Sequence, residues 1–311
     1  MRSLTENLLD RHLTYEKEQI HLLTLLYGIV SPNTSLKSHL KIAKCLELMK
    51  AATLITDDFL DKSPMRNGIP SLYSKIGGEE AVLTAEILKS SATITLIEAL
   101  AEIPSLSEDD RQRCILLFED TYRTVCLGQL EEIRIAKEYL KSWCTIKESD
   151  YWKIIEKTTA VFIQLPLLLG SVVSHFDTTT ENALRNYGLK IGLAYQLKDD
   201  VVDLVAKKEI SGKPVGGDIR EKKFRLPLLY CLRHGSQNTI QTIKKIYMKK
   251  QVTHQDIKTI IGIIKSEGGI EYCIKKISVL CMESLEYLSQ IKEEDIRRPL
   301  EDITTLLLPE L

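Results

Sequence analysis

Gly192-Leu193-Ala194-Tyr195-Gln196-Leu197-Lys198-Asp199-Asp200-Val201-Val202-Asp203 is the stretch on which the fold turns. It closes a helix-period apolar segment with the pattern D-D-x-x-D. The same pattern stands at Asp57-Asp58-Phe59-Leu60-Asp61, after the apolar period Leu46 to Ile55. On a helix, residues i and i+4 share a face with Cβ atoms about 5–6 Å apart. Asp57 therefore projects with Asp61, and Asp199 with Asp203. Four carboxylates on two facing helices are hard to bury without cations. Mg²⁺ takes oxygen ligands, keeps several waters and completes its shell with substrate phosphates. The spacing predicts a metal clamp for a diphosphate. One acidic run is ordinarily a solvated helix face; two of identical spacing, each set in apolar sequence, ask for more.

The bulk composition agrees with helices. Of 311 residues 44% are hydrophobic, while Gly (15) and Pro (9) are sparse. No stretch alternates apolar and polar residues as a strand would. The expected fold class is all-α, with a single domain over 1–311, because no Pro/Gly/Ser-rich linker divides the chain. A net charge of −1 speaks against nucleic acid as a partner. Seven cysteines at positions 45, 114, 126, 144, 231, 273 and 281 form no C-x-x-C pair and are odd in number, which predicts reduced thiols. Met1 to Glu18 is charged and lacks an apolar signal core, and Ile20 to Val30 is too short to span a bilayer. The expected location is cytoplasmic. The apolar residues Leu306 to Leu308 suit dimerisation or peripheral membrane contact.

Helical periodicity predicts helices over 3–12, 15–29, 35–60, 78–102, 107–137, 147–174, 180–206, 224–234, 237–249, 254–266, 269–290 and 296–307. Each acidic run is followed by a loop containing Gly, Pro and basic residues: Ser63 to Ser71, and Ser211 to Asp218. Arg66, Lys213 and Lys223 follow the runs, and Lys157-Thr158-Thr159 lies on a helix between them. Arg offers phosphate a bidentate fork and Lys a point charge. The remaining basic residues of Arg220 to Arg225 read as a solvated face. The six histidines have no ligand spacing, so none is assigned to metal.

With these residues in view, the chain resembles the trans-prenyl diphosphate synthases, or polyprenyl synthetases, over roughly residues 15 to 290. DDFLDKSPMRNGIPS is similar to the family's D-D-x-x-D-x-x-x-x-R-R-G-x-P-T. Gly128-Gln129 resembles its G-Q-x-x-D, with Glu132 at the acidic position. Lys157-Thr158 resembles its K-T pair. The most specific match is GLAYQLKDDVVDLVAKKEISGKPVGGDIREKKFRLPLL, which holds Gln196, Asp199, Asp200, Asp203, Lys213, Gly217-Asp218 and Lys223.

The resemblance implies a helical bundle around a deep cavity, a homodimer, and three Mg²⁺ ions held jointly with the substrate diphosphate. Carried over, the metal ligands are Asp57, Asp61 and Asp199, supported by Asp58, Asp200 and Asp203. Arg66, Lys157 and Lys213 would hold diphosphate oxygens, with Lys223 nearby. Ionisation of an allylic prenyl diphosphate leaves a cation stabilised by Thr158 and Gln196. The acceptor is the double bond of isopentenyl diphosphate.

The acceptor's own diphosphate site departs from the family pattern. Its G-G-K-R-x-R-P segment falls near Tyr15 to His21, where Lys17 stands for the Lys and Ile20 for the key Arg. Asn67 replaces the second Arg of R-R-G, and Lys50 replaces the His seven positions before the first run. Each charge-assisted hydrogen bond is worth roughly 1.5–3 kcal/mol, so two lost contacts weaken binding by about two to four decades unless Lys17 and Lys50 offset them. Three readings follow: chain elongation; ionisation without isopentenyl diphosphate, as in class I terpene cyclases or transfer to another acceptor; and a non-catalytic regulatory subunit. Ala52, five residues before Asp57, stands where the family closes its cavity floor. With Met49 and Cys45 deeper on the same face, it predicts a substrate or product of C20 or longer.

Overall fold

The computed structural model describes residues 17–32, 35–66, 68–143, 147–205 and 215–308. Among these the elements in chain order are α1 (Lys17–Val30), α2 (Leu36–Asp61), β1 (Met65–Arg66), β2 (Ile69–Pro70), α3 (Leu72–Ile76), α4 (Gly78–Ala101) and α5 (Glu108–Ser142). Then come α6 (Glu148–Ile155), a π-helical turn (Glu156–Ala160), α7 (Val161–Val173), α8 (Thr178–Val205) and α9 (Gly217–Arg220). The chain continues through α10 (Leu226–His234), α11 (Gln237–Tyr247), α12 (His254–Ser266), α13 (Gly269–Leu288) and α14 (Glu294–Leu307). The all-α expectation holds, with one two-residue antiparallel hairpin, β1–β2, as its exception.

The chain divides into two compact units. The first draws on Met1–Tyr122, Phe162–Arg185 and Gln290–Leu300. Its centre is the pairing of α2 with α4. On α4 the buried residues Ala81, Ala85, Leu88, Ala92, Leu96 and Ala99 repeat at steps of three or four. That spacing makes one continuous stripe, and its alanines let the α2 backbone approach closely. Ile42, Leu46, Met49 and Ala52 of α2 are buried in the same core. Ser35 caps α2 by accepting the Ser38 amide at 3.3 Å. Lys41 on α2 donates to Glu102 beyond α4 at 2.7 Å.

The second unit draws on Arg123–Val161, Asn186–Ser289 and Glu301–Leu311. Its core gathers Ile155, Ala194, Leu197, Leu226, Ile243 and Ile260, among others. Thr253 and Asp256 form a capping box at the start of α12. A hydrogen bond from Lys249 lowers the Asp256 carboxyl to about 2.

The expected helix 147–174 is interrupted by the π-helical turn, which carries Lys157, Thr158 and Thr159. A single extra residue per turn leaves the apolar pattern almost unchanged, so periodicity does not register it. The loop after the first run contains the hairpin, and the short α3 follows it, both unanticipated. Gly68, at φ 80°, makes the hairpin turn. The expected helix 3–12 lies outside the described residues. Glu148–Val173 is long and apolar enough to cross a membrane by length and composition, and 67% of its apolar 18-residue stretch is buried inside the protein. Cys45, Cys114, Cys231, Cys273 and Cys281 are buried and Cys126 is exposed, and none of these six is in a disulfide.

Candidate active site

Both acidic runs occupy the C-terminal ends of long helices. Asp57, Asp58 and Asp61 lie in the last turns of α2, and Asp199, Asp200 and Asp203 in those of α8. The carbonyl end of a helix is its negative end, where each carboxylate is unfavourable by roughly 0.3–1 kcal/mol. Neither last turn carries a basic residue to relieve this. Such placement favours any cation brought to it.

In the first unit Asp58 is 1% exposed. Arg66, delivered by β1, donates to Asp58 Oδ1 through Nε at 3.0 Å and Nη2 at 2.7 Å. Its Nη2 also donates to Asp57 Oδ2 at 2.9 Å. The hairpin is tied to α2 by the Ser63 amide on the Asp58 carbonyl and by Ser71 Oγ donating to the Ser63 carbonyl. Asp57 and Asp61 keep partly exposed side chains. Ala52 is fully buried one turn and a half earlier, as are Met49 and Cys45. Lys50 holds its ammonium 5.0 Å from the centre of the Phe162 ring.

In the second unit the run is graded by depth. Asp199 is exposed, Asp203 is partly buried and Asp200 is 2% exposed. Asp200 accepts from Tyr151 Oη and from Gln196 Nε2, each at 2.8 Å. Gln196 in turn accepts from Thr159 Oγ1 at 2.7 Å. Asp203 accepts the backbone amides of Gly217 at 3.0 Å and Asp218 at 3.3 Å. Burial pushes the Asp200 and Asp203 carboxyls well above the usual carboxylate range, with the nearby Asp218 adding to the shift. Charge is thus costly inside this half-site unless cations arrive.

Lys157, on the π-helical turn, pairs with Glu131 of α5. Thr158 Oγ1 donates to the Ile154 carbonyl at 3.0 Å, leaving its oxygen able to accept. The turn is wedged between two glycines. A Cβ on Gly128 would lie 2.8 Å from Lys157 Cβ, and one on Gly192 would lie 2.5 Å from Ala160 Cα. Gly192→Ala should therefore destabilise the protein by about 1–3 kcal/mol, as overpacking does. It should also lower activity, since Thr159 and Gln196 lean on that contact. Thermal melting with parallel turnover measurements checks both; an unchanged midpoint would mean the turn yields freely.

Lys223 pairs with Glu221 at 3.2 Å and is largely covered. Lys213 lies outside the described residues, as does Asn67, and the side chain of Lys17 is not described. One expectation is overturned. Arg225, read as part of a solvated basic face, is turned inward. Its Nη1 meets Glu132 at 2.9 Å, and its Nε lies 3.3 Å from Asp218 and 3.8 Å from Asp200. The sequence reading also missed Tyr151 and Glu131, and it named Thr159 without giving it a role. Of this network only the Gln196–Asp200 bond, at i and i+4, was within reach of helix spacing.

The chemistry of each run by itself suits Mg²⁺. Asp57 and Asp61 in the first unit, and Asp199 in the second, offer carboxylate oxygens, while in each run a buried, hydrogen-bonded aspartate (Asp58, Asp200) can steady its neighbours. Among the described residues no group of three or more His, Cys, Asp or Glu is gathered to hold a metal ion. Mg²⁺ ordinarily binds through one or two carboxylates plus substrate phosphates, without an all-protein cage.

Residues 19–264 match the polyprenyl synthetase family model, a span that runs through both units. A short chain isoprenyl diphosphate synthase from Methanocaldococcus jannaschii is 29% identical, covering 86% of this chain and 78% of its own. A geranylgeranyl diphosphate synthase from Methanosarcina mazei is 27% identical over 91% of this chain and 81% of its own. Among solved structures, the geranylgeranyl pyrophosphate synthase from Corynebacterium glutamicum complexed with isoprenyl diphosphate and magnesium superposes with a TM-score of 0.82. It is 26% identical, with 93% of this chain and 85% of that one covered. With the two acidic runs, their loops and a match of this length, the chain belongs to the polyprenyl synthetase family, whose members are trans-prenyltransferases.

Proposed function

We propose that this protein is a Mg²⁺-dependent trans-prenyltransferase that ionises an allylic prenyl diphosphate and elongates it with isopentenyl diphosphate to a product of C20 or longer. The observation that carries this reading is the grading of each acidic run. A buried, hydrogen-bonded aspartate (Asp58, Asp200) stands beside more exposed ones (Asp57, Asp61, Asp199) at a helix end that favours cations. Three Mg²⁺ ions, held with the substrate diphosphate, would supply the positive charge that the departing group requires. Arg66, Lys157, Lys213 and Lys223 are the residues assigned to diphosphate oxygens. Thr158 and Gln196 turn oxygen dipoles toward the developing allylic cation. The absence of aromatic bulk at Ala52, Met49 and Cys45 supports a long prenyl chain. Removal of Mg²⁺ with a chelator should abolish diphosphate release from farnesyl and geranylgeranyl diphosphate, and release that persists would contradict the reading.

A second reading, ionisation without isopentenyl diphosphate, draws support from Lys50. The side chain expected to make up for a missing guanidinium lies over the Phe162 ring.

We further propose that the protein works as a homodimer. On α4 the residues Leu83, Ile87, Ile94 and Ile97 share the face opposite the core, and their exposures run from 47% to 65%. A second copy covering this stripe would remove it from water. Light scattering should give twice the chain mass, and Ile87→Glu with Ile94→Glu should halve it. A wild-type protein that runs as a monomer at micromolar concentration would end this proposal.

A further inference from the structure

Arg225 is the unusual cation of the second unit. It sits in a narrow cleft whose lining includes Asp200, Asp203, Asp218, Lys223 and Tyr247. Its guanidinium faces carboxylates from three separate elements: Glu132 on α5, Asp200 on α8 and Asp218 on α9. Its own backbone carbonyl accepts the amides of Leu228 and Leu229 at the start of α10. One side chain thus joins four elements.

A buried charge cluster of this kind adds little to stability, because desolvation consumes most of the attraction. An apolar residue would serve packing as well. What the guanidinium supplies is geometry. Its buried Nε lies 3.8 Å from the inner acid Asp200, an ion pair and not a hydrogen bond, since Nε has no hydrogen-bond partner among the described residues. The same Nε lies 3.3 Å from Asp218, so its charge attracts the turn whose Gly217 and Asp218 amides bind the carboxylate of Asp203. The Gly216 amide closes the same turn on the Asp203 carbonyl at 2.9 Å. Both inner acids are therefore positioned through Arg225, and Asp199 is left as the outward-facing one. A lysine could not replace it, since a point charge cannot serve three divergent carboxylates. Glu132 stands where the resemblance has Asp, and its longer side chain reaches the guanidinium.

We propose that Arg225, anchored by Glu132, is a positioning residue that sets the second acidic run for its metal–diphosphate ligand. The inference rests on the proposed Mg²⁺–diphosphate chemistry of that run. Arg225 touches neither substrate nor metal and acts through Asp200 and the Asp218 turn. Glu132 fixes the guanidinium from the far side. Removing the charge of Glu132 alone should loosen the same assembly while leaving every residue of the run in place.

The test is the thermal midpoint of the full chain, titrated with Mg²⁺ in the presence of inorganic diphosphate. A ligand that binds only the folded state raises the midpoint according to its occupancy. The wild-type midpoint should rise. In Arg225→Lys and in Glu132→Gln, the half-saturating Mg²⁺ should increase about tenfold or more, equivalent to about 1.4 kcal/mol. The double variant should show little further loss, because the two residues act as one unit. Steady-state rates should show the same displacement in Mg²⁺ dependence. If both single variants melt lower but keep the wild-type Mg²⁺ response, Arg225 is structural only and the proposal fails. If Arg225→Lys does not fold, Glu132→Gln decides alone by the same criterion. If the wild-type protein gives no Mg²⁺–diphosphate response, the proposed function itself fails, and this inference with it.

Discussion

Asp57→Ala and Asp199→Ala should each reduce Mg²⁺-dependent diphosphate release by about a hundredfold to a thousandfold, the scale on which transition-state charge stabilisation is lost. Neither should change the helical circular dichroism signal. The reason lies in how each residue is held. Asp57 shares Arg66 with Asp58, and two hydrogen bonds from Arg66 to Asp58 survive its loss. The β1–β2 hairpin therefore stays docked. Asp199 is exposed, so its removal opens no cavity. Both truncations also relieve the unfavourable placement of a carboxylate at a helix C-terminus. Unchanged or slightly raised stability with lost activity marks residues retained for a ligand. Wild-type turnover in either variant would remove that residue from the metal-binding set.

Arg66→Met should lose stability and activity together. Asp58, 1% exposed, would keep its charge with the Arg66 guanidinium gone. Breaking a buried pair from one side costs about 3–5 kcal/mol. The substrate diphosphate would also lose a donor worth roughly 1.5–3 kcal/mol, or about one to two decades in binding. A second substitution separates the two effects. Adding Asp58→Asn removes the stranded charge and should restore much of the thermal midpoint, while activity stays low. Recovery of both would reduce Arg66 to a structural tether.

The helices and the acidic runs were legible because each depends on local spacing. The three-four rhythm of Ala81, Ala85, Leu88, Ala92, Leu96 and Ala99 is written along one segment, and so is the D-D-x-x-D pattern. The bounds of α12 match those expected, since Thr253 and Asp256 form its capping box within four residues. What the sequence hid is of another kind. Tyr151 reaches Asp200 across 49 residues, and nothing in either neighbourhood points to the other. Arg225 lies in a basic run, where charge alone suggests solvent, and only the fold brings Glu132, Asp200 and Asp218 around it. The π-helical turn escaped because one added residue shifts a helical face without erasing it. Yet that turn sets Lys157 and Thr158 against Gly128 and Ala160 against Gly192. Local pattern located the chemistry, and long-range packing determined how each carboxylate is held.

Elongation is the central claim, and the acceptor bears on it most directly, because Ile20, Asn67 and Lys50 all depart from the family pattern. The decisive measurement is mass-spectrometric product analysis. Purified protein and Mg²⁺ are incubated with farnesyl or geranylgeranyl diphosphate, with and without isotopically labelled isopentenyl diphosphate. The account predicts label in a lengthened prenyl diphosphate of C20 or more. Diphosphate released alongside an unlabelled hydrocarbon or alcohol would contradict it.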